Sequence, residues 1–174
     1  MEPMPVLDAY IPEGALSPEA EQRLLGQVTD LLLKHEGVDP TNETARSIAW
    51  VFLHRPKIYV AGAAADVPRY RFVCQVPEGQ YDEDRRQAVT AAITEAVVEA
   101  EHGSYPDPLS RVWVFTNEIP DGTWGGLGRV VRLPDIAEFV LGASGREGAE
   151  QRLAERRRQT AATLLDAVKE DAPA

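Results

Sequence analysis

A single cysteine, Cys74, leaves the chain without an intrachain disulfide and without a thiolate cluster for a metal. Histidine is nearly as scarce, at three residues in 174. No stretch approaches the roughly 18 consecutive apolar residues of a membrane span. Basic residues are also in deficit: 18 Lys and Arg against 28 Asp and Glu give a net charge of −10, which repels phosphate backbones and argues against a nucleic-acid partner. The opening Met-Glu-Pro-Met-Pro has neither the basic region nor the apolar core of a secretory signal. These absences give the expectation of a cytoplasmic protein with no membrane partner. What remains, 44% hydrophobic and 26% charged, is the composition of a globular protein able to bury a core.

The chain repeats a pattern. Val6–Ile11 is short, apolar and bounded by prolines, and reads as a strand. Pro12-Glu-Gly14 is a turn, and Ser17 with Pro18 opens a helix as N-cap and first helical residue. Leu24, Leu25, Val28 and Leu31 to Leu33 form its apolar stripe, which stops near Gly37. A polar loop leads to a second strand, Ile48–Leu53, and Lys57–Val60 reads as a short hairpin partner. The same order then recurs with a strand at Arg69–Val76, a Pro77-Glu-Gly79 turn and an N-cap at Asp82. The helix that follows bears Val89, Ile93, Val97 and Val98 and ends near Gly103, and Val112–Phe115 closes the unit. Pro12 and Pro77 lie 65 residues apart, and Trp50-Val-Phe52 returns as Trp113-Val-Phe115 at a lag of 63. Such repetition marks an internal duplication. Two βαβ units predict an α/β fold: a four-stranded, mostly parallel or mixed sheet with two helices on one face. Past Gly145 the composition becomes that of a helix, Arg146–Lys169, with balanced charges and the character of a solvated or docking element.

Met4-Pro5-Val6, the two Pro-Glu-Gly turns, His54-Arg-Pro56, and Val112–Ile119 followed by Asp121–Gly128 together resemble the tautomerase superfamily, which includes 4-oxalocrotonate tautomerase, macrophage migration inhibitory factor, malonate semialdehyde decarboxylase and cis-3-chloroacrylic acid dehalogenase. The resemblance divides the chain into a tautomerase-like region, 1–144, with repeats at 5–62 and 69–132, and a helical tail, 145–174. It implies a cofactor-independent enzyme whose base or acid is an amino-terminal proline. Pro5 is the match, provided the chain starts at Met4 or is processed to expose Pro5; within a peptide bond its nitrogen is not basic. A free α-amine titrates near pH 8, and burial or a nearby cation lowers it further, which suits proton transfer near neutrality.

The family's usual arginine clamp for a dicarboxylate is absent. Ala15 and Gln80 follow the two Glu-Gly turns, Trp50 and Trp113 occupy the closing strands, and Phe115 stands where the dehalogenase has tyrosine. Other residues are candidates for substrate binding. His54 and Arg55 match the decarboxylase's His-Arg-Pro. Glu43 lies in a loop resembling the one that bears its catalytic aspartate, and Arg46 lies beyond as a partner for Glu43 or for substrate. Arg69 and Arg71 flank Tyr70, the second-repeat counterpart of Pro5. Trp113 and Phe115, with Trp50, are expected as apolar walls, and Asn117 as a donor to an enolate oxygen. His35 and His102 read as helix-terminal residues. The implied function is keto–enol proton transfer on a small enol or α-keto acid, with decarboxylation, or hydration or dehalogenation, as the enzymatic alternative and a binding module with Pro5 blocked as the non-catalytic one. The implied partners are a small-molecule substrate and two further copies of the chain in a homotrimer, with no cofactor and no metal.

Overall fold

The computed structural model describes residues 5–170. In chain order the elements of the first repeat are β1 (Val6–Tyr10), α1 (Pro18–His35), α2 (Glu43–Ile48), β2 (Trp50–His54), β3 (Tyr59–Val60) and β4 (Ala63–Ala64). The second repeat has β5 (Tyr70–Pro77), α3 (Glu83–Glu101), a 3₁₀ turn (Pro108–Arg111), β6 (Val112–Ile119), β7 (Gly125–Gly126) and β8 (Arg129–Val130). Two further helices follow, α4 (Leu133–Leu141) and α5 (Ala143–Glu170). The long helix of each repeat begins as its cap dictates: the Ser17 side chain accepts from the Ala20 N–H at 3.2 Å and Asp82 from the Arg85 N–H at 2.8 Å.

β1 pairs in parallel with β2 and β5 with β6, while β1 and β5 run antiparallel, so the main sheet has the order β2-β1-β5-β6. Leu7, Ala9, Phe72, Cys74 and Val76 face the helices and are buried against Leu24, Val28 and Leu32 of α1 and Val89, Ile93 and Val97 of α3. Burial pushes the Cys74 thiol up to about 12. Each repeat also carries a two-residue hairpin. The loops Ala61-Gly62 and Leu127-Gly128 have positive φ at both residues, the geometry that matches the twist of the flanking strands.

Two stretches differ from the sequence reading. Ile48 closes α2 instead of opening β2, because Asn42 caps that helix through the Ala45 N–H at 3.0 Å and Ala45 is buried with Leu33 and Val38. Residues 133–141 form α4, which packs Leu133, Ile136 and Ala137 against Ala149 and Leu153 of α5, with Ile48 of α2 beside them. The expected division between residues 144 and 145 therefore falls just inside α5, which packs against α4. Among the described residues no helix is long and apolar enough to cross a membrane.

Candidate active site

The sheet face turned away from α1 and α3 consists of three rows set by strand register. Trp50, Val6, Gln75 and Asn117 form one end; Phe52, Asp8, Val73 and Phe115 the middle; His54, Tyr10, Arg71 and Trp113 the other end. The duplication fixes this pattern. Val6 and Arg71 are 65 residues apart, as are Tyr10 and Gln75, and Trp50 and Trp113 are 63 apart. A pseudo-twofold axis between Asp8 and Val73 thus exchanges the two end rows. A polar chain crosses the face. Gln75 Nε2 donates to Asp8 Oδ2 at 3.0 Å, Asp8 Oδ1 lies 2.6 Å from His54 Nε2, and the His54 ring stacks on Tyr10 at 4.3 Å.

Pro5 is buried and directly precedes Val6. Val6 lines a cavity of about 620 Å³ at the first row. Trp50 and Phe52 of β2 form one wall, Trp124 and Leu127 of the β7–β8 hairpin another, and Ile136 and Phe139 of α4 a third. Four polar residues line this largely apolar space: Gln75, Thr123, Arg129 and Asp135. The Arg146 guanidinium, 2.7 Å from Asp135, is the main influence holding that carboxyl below the usual carboxylate range, with the Arg132 N–H adding to it. Asp135 is therefore an anion at neutral pH and no proton donor. Arg129 lies 3.9 Å from it, loosely enough to turn its N–H groups toward a bound anion.

The tail is anchored beside this cavity. Glu118, at the end of β6, accepts the Gly79, Gln80 and Tyr81 N–H groups at 2.9 Å each through one carboxylate oxygen. Its other oxygen accepts from Arg86 and from Arg156 of α5, both at 3.1 Å. The second Glu-Gly turn, which could otherwise hold an anion on its N–H groups, is closed by this carboxylate. Arg157 adds a 3.3 Å contact to Asp121, which also receives Arg132 at 2.7 Å.

The family model described as tautomerase enzyme matches residues 74–133, which run from β5 through the hairpin to the start of α4. No curated protein matches the chain. Among solved structures, Pt0534 inactivated by 2-oxo-3-pentynoate is 25% identical, with a TM-score of 0.58 over 72% of this chain and 94% of that one. A fused 4-OT solved as a symmetric trimer is 19% identical, with a TM-score of 0.56 over 73% and 94%. N1, a member of the cis-3-chloroacrylic acid dehalogenase family, is 16% identical, with a TM-score of 0.61 over 84% and 99%. The last two establish likeness of fold. Residues 74–133 thus carry the tautomerase family match, in a chain whose described fold is of the tautomerase type.

Within this tautomerase-like fold the expected site residues separate into groups. Trp50 and Asn117 lie in the row at the Pro5 end. Phe115 lies mid-face, and Trp113, His54 and Arg71 lie in the far row, because β5 and β6 run opposite to β1. Trp113 and Phe115, expected as walls around Pro5, do not line the cavity beside Val6, whereas Trp50 and Phe52 do. Arg55 is held by Glu21, its Nη2 donating to Oε1 at 2.7 Å. Arg46 pairs with Asp30 and donates to the Pro40 carbonyl at 2.9 Å, so its partner is not Glu43, which is exposed at the start of α2. Arg69 lies before β5, beside the far row. Met4, on which a free Pro5 amine depends, lies outside the described residues. Sequence reading missed Arg129, Trp124, Asp135 and Phe139. The signal for the first two is the glycine-rich segment beginning at Asp121, which the resemblance covers without giving it a site role.

Proposed function

We propose that a chain beginning at Pro5 is a cofactor-independent tautomerase acting on small monoanionic enols and α-keto acids. The observation that carries this reading is a buried proline next in the chain to Val6, which lines an apolar cavity that holds one loosely paired cation, Arg129. Arg129 receives the substrate carboxylate, and the aromatic walls exclude water and keep the Pro5 amine unprotonated near neutral pH. The amine takes the enol hydroxyl proton and the oxygen lone pair re-forms the carbonyl. The former double-bond carbon then accepts the proton from the ammonium. Asn117, in the Pro5 row, donates to the oxygen while it carries negative charge.

The reading extends to assembly. Trp50 and Trp113 are 60% and 67% exposed on the open sheet face, with Phe52 and Phe115 beside them, which is more apolar surface than a monomer ordinarily leaves bare. A homotrimer like that of the fused 4-OT relative covers it.

The deciding experiment uses protein whose first residue, verified by mass, is Pro5. It should ketonise phenylenolpyruvate, and Pro5→Ala should lose at least about a hundredfold in kcat. The mass of the same protein treated with 2-oxo-3-pentynoate should rise by one whole inhibitor, because the amine adds to the alkyne and its proton ends on the neighbouring carbon. Full activity in Pro5→Ala would show that the base lies elsewhere.

A further inference from the structure

The pseudo-twofold axis gives the Pro5 cavity a counterpart at the other end of the sheet, with a volume of about 560 Å³, within the range of small-molecule sites. Trp113 stands there in the place of Trp50, Arg71 in the place of Val6 and Tyr10 in the place of Gln75. The β3–β4 hairpin replaces the β7–β8 hairpin as outer wall. Tyr70 takes the position of Pro5, so this cavity has no counterpart of the proline amine and cannot share its chemistry.

Its charge is distinctive. In a chain of net charge −10, no carboxylate lines the cavity, yet three arginines do. Arg111 is committed elsewhere: it is buried, bound to both carboxylate oxygens of Glu101 at 2.7 and 2.5 Å and to the Pro68 carbonyl at 2.8 Å. Arg69 and Arg71 have no carboxylate partner among the described residues. Arg69 Nε is shielded from solvent with no hydrogen-bond acceptor, a costly state for a charged group unless a ligand supplies one. The Arg71 guanidinium lies 3.8 Å over the Tyr10 ring, which fixes its plane and leaves its N–H edge unused.

We propose that this second cavity is a non-catalytic binding site for a carboxylate with a flat aromatic or apolar body. Arg69 and Arg71 take the carboxylate, and Trp113 and Tyr59 enclose the body. The site stands apart from the Pro5 reading, and its test does not use turnover.

The chain has three tryptophans. Trp113 lines this cavity while Trp50 and Trp124 line the other, so their indole N–H signals report the two sites separately. Full-length ¹⁵N-labelled protein titrated with cinnamate should show a saturable shift of the Trp113 indole signal. Arg69→Gln and Arg71→Gln should each weaken that binding at least about tenfold, and the neutral cinnamamide should bind at least about tenfold more weakly to the unaltered protein, where folding is not in question. Trp124→Ala should leave the Trp113 titration unchanged. Shifts confined to Trp50 and Trp124, or equal binding of acid and amide, would overturn the proposal. So would arginine variants that alter the mass of the assembly but not the Trp113 titration, because the arginines would then serve a neighbouring copy.

Discussion

Under the proposed function Arg129 carries the discrimination among substrates, because among the described residues it is the one cation lining the cavity beside Val6. A single guanidinium satisfies one carboxylate, and a second carboxylate would lie against Trp50, Phe52 or Phe139 without a donor, at a desolvation cost of a few kcal/mol. Monoanionic enols should therefore be processed better than 2-hydroxymuconate. Arg129→Gln should raise KM for phenylenolpyruvate about tenfold and change kcat much less, since the carboxylate is held alike before and during proton transfer. A preference for the dicarboxylate would show that a second cation reaches the site from elsewhere.

At the scale of elements, α4 and α5 serve the site although they lie outside the repeats. Ile136 is shared between the cavity wall and the apolar contact with Leu153, so the packing of the tail fixes the position of the wall. Glu118 ties the same helix, through Arg156, to the turn that opens α3. Leu153 is 5% exposed, and Leu153→Ala should cost about 2–5 kcal/mol, the range for a buried leucine, measured as a lower urea midpoint. It should also raise KM, because α4 loses its backing. Unchanged stability would mean that α5 is not held to the rest of the fold by this contact.

For the whole molecule, the proposed trimer predicts a mass three times the 19.1 kDa of the chain by light scattering. The apolar residues at the far end of α5, Leu164, Leu165 and Val168, are all more than half exposed, whereas the docked part of that helix is the part carrying Leu153 and Arg156. A chain truncated after Arg158 should therefore keep the mass of the assembly if the sheet face joins the copies. A monomeric full chain would exclude the trimer. A truncated chain that falls to monomers while the full chain is trimeric would assign the joining role to the tail.

The repeat made the fold legible in advance. Turn, cap, apolar stripe and closing strand recur in order, and each is a local signal: Ser17 and Asp82 cap helices through their own side chains, and the alternation of Leu7 with Ala9 and of Phe72 with Cys74 and Val76 selects the buried face. Those features depend on near neighbours, so the sequence carries them. The division of the site residues does not. Trp50 and Trp113 are equivalent in sequence, and only the antiparallel pairing of β1 with β5 sends one to Pro5 and the other to the opposite cavity. Arg55 reads as a substrate-binding cation, and Arg46 as a partner for Glu43 or for substrate, until the fold brings Glu21 and Asp30 to them. Arg129 reads as a hairpin residue until α4 folds back and brings Asp135 and Phe139 to the same cavity. What a side chain can do chemically is written at its position; which pocket it does it in was decided by contacts between residues far apart in the chain.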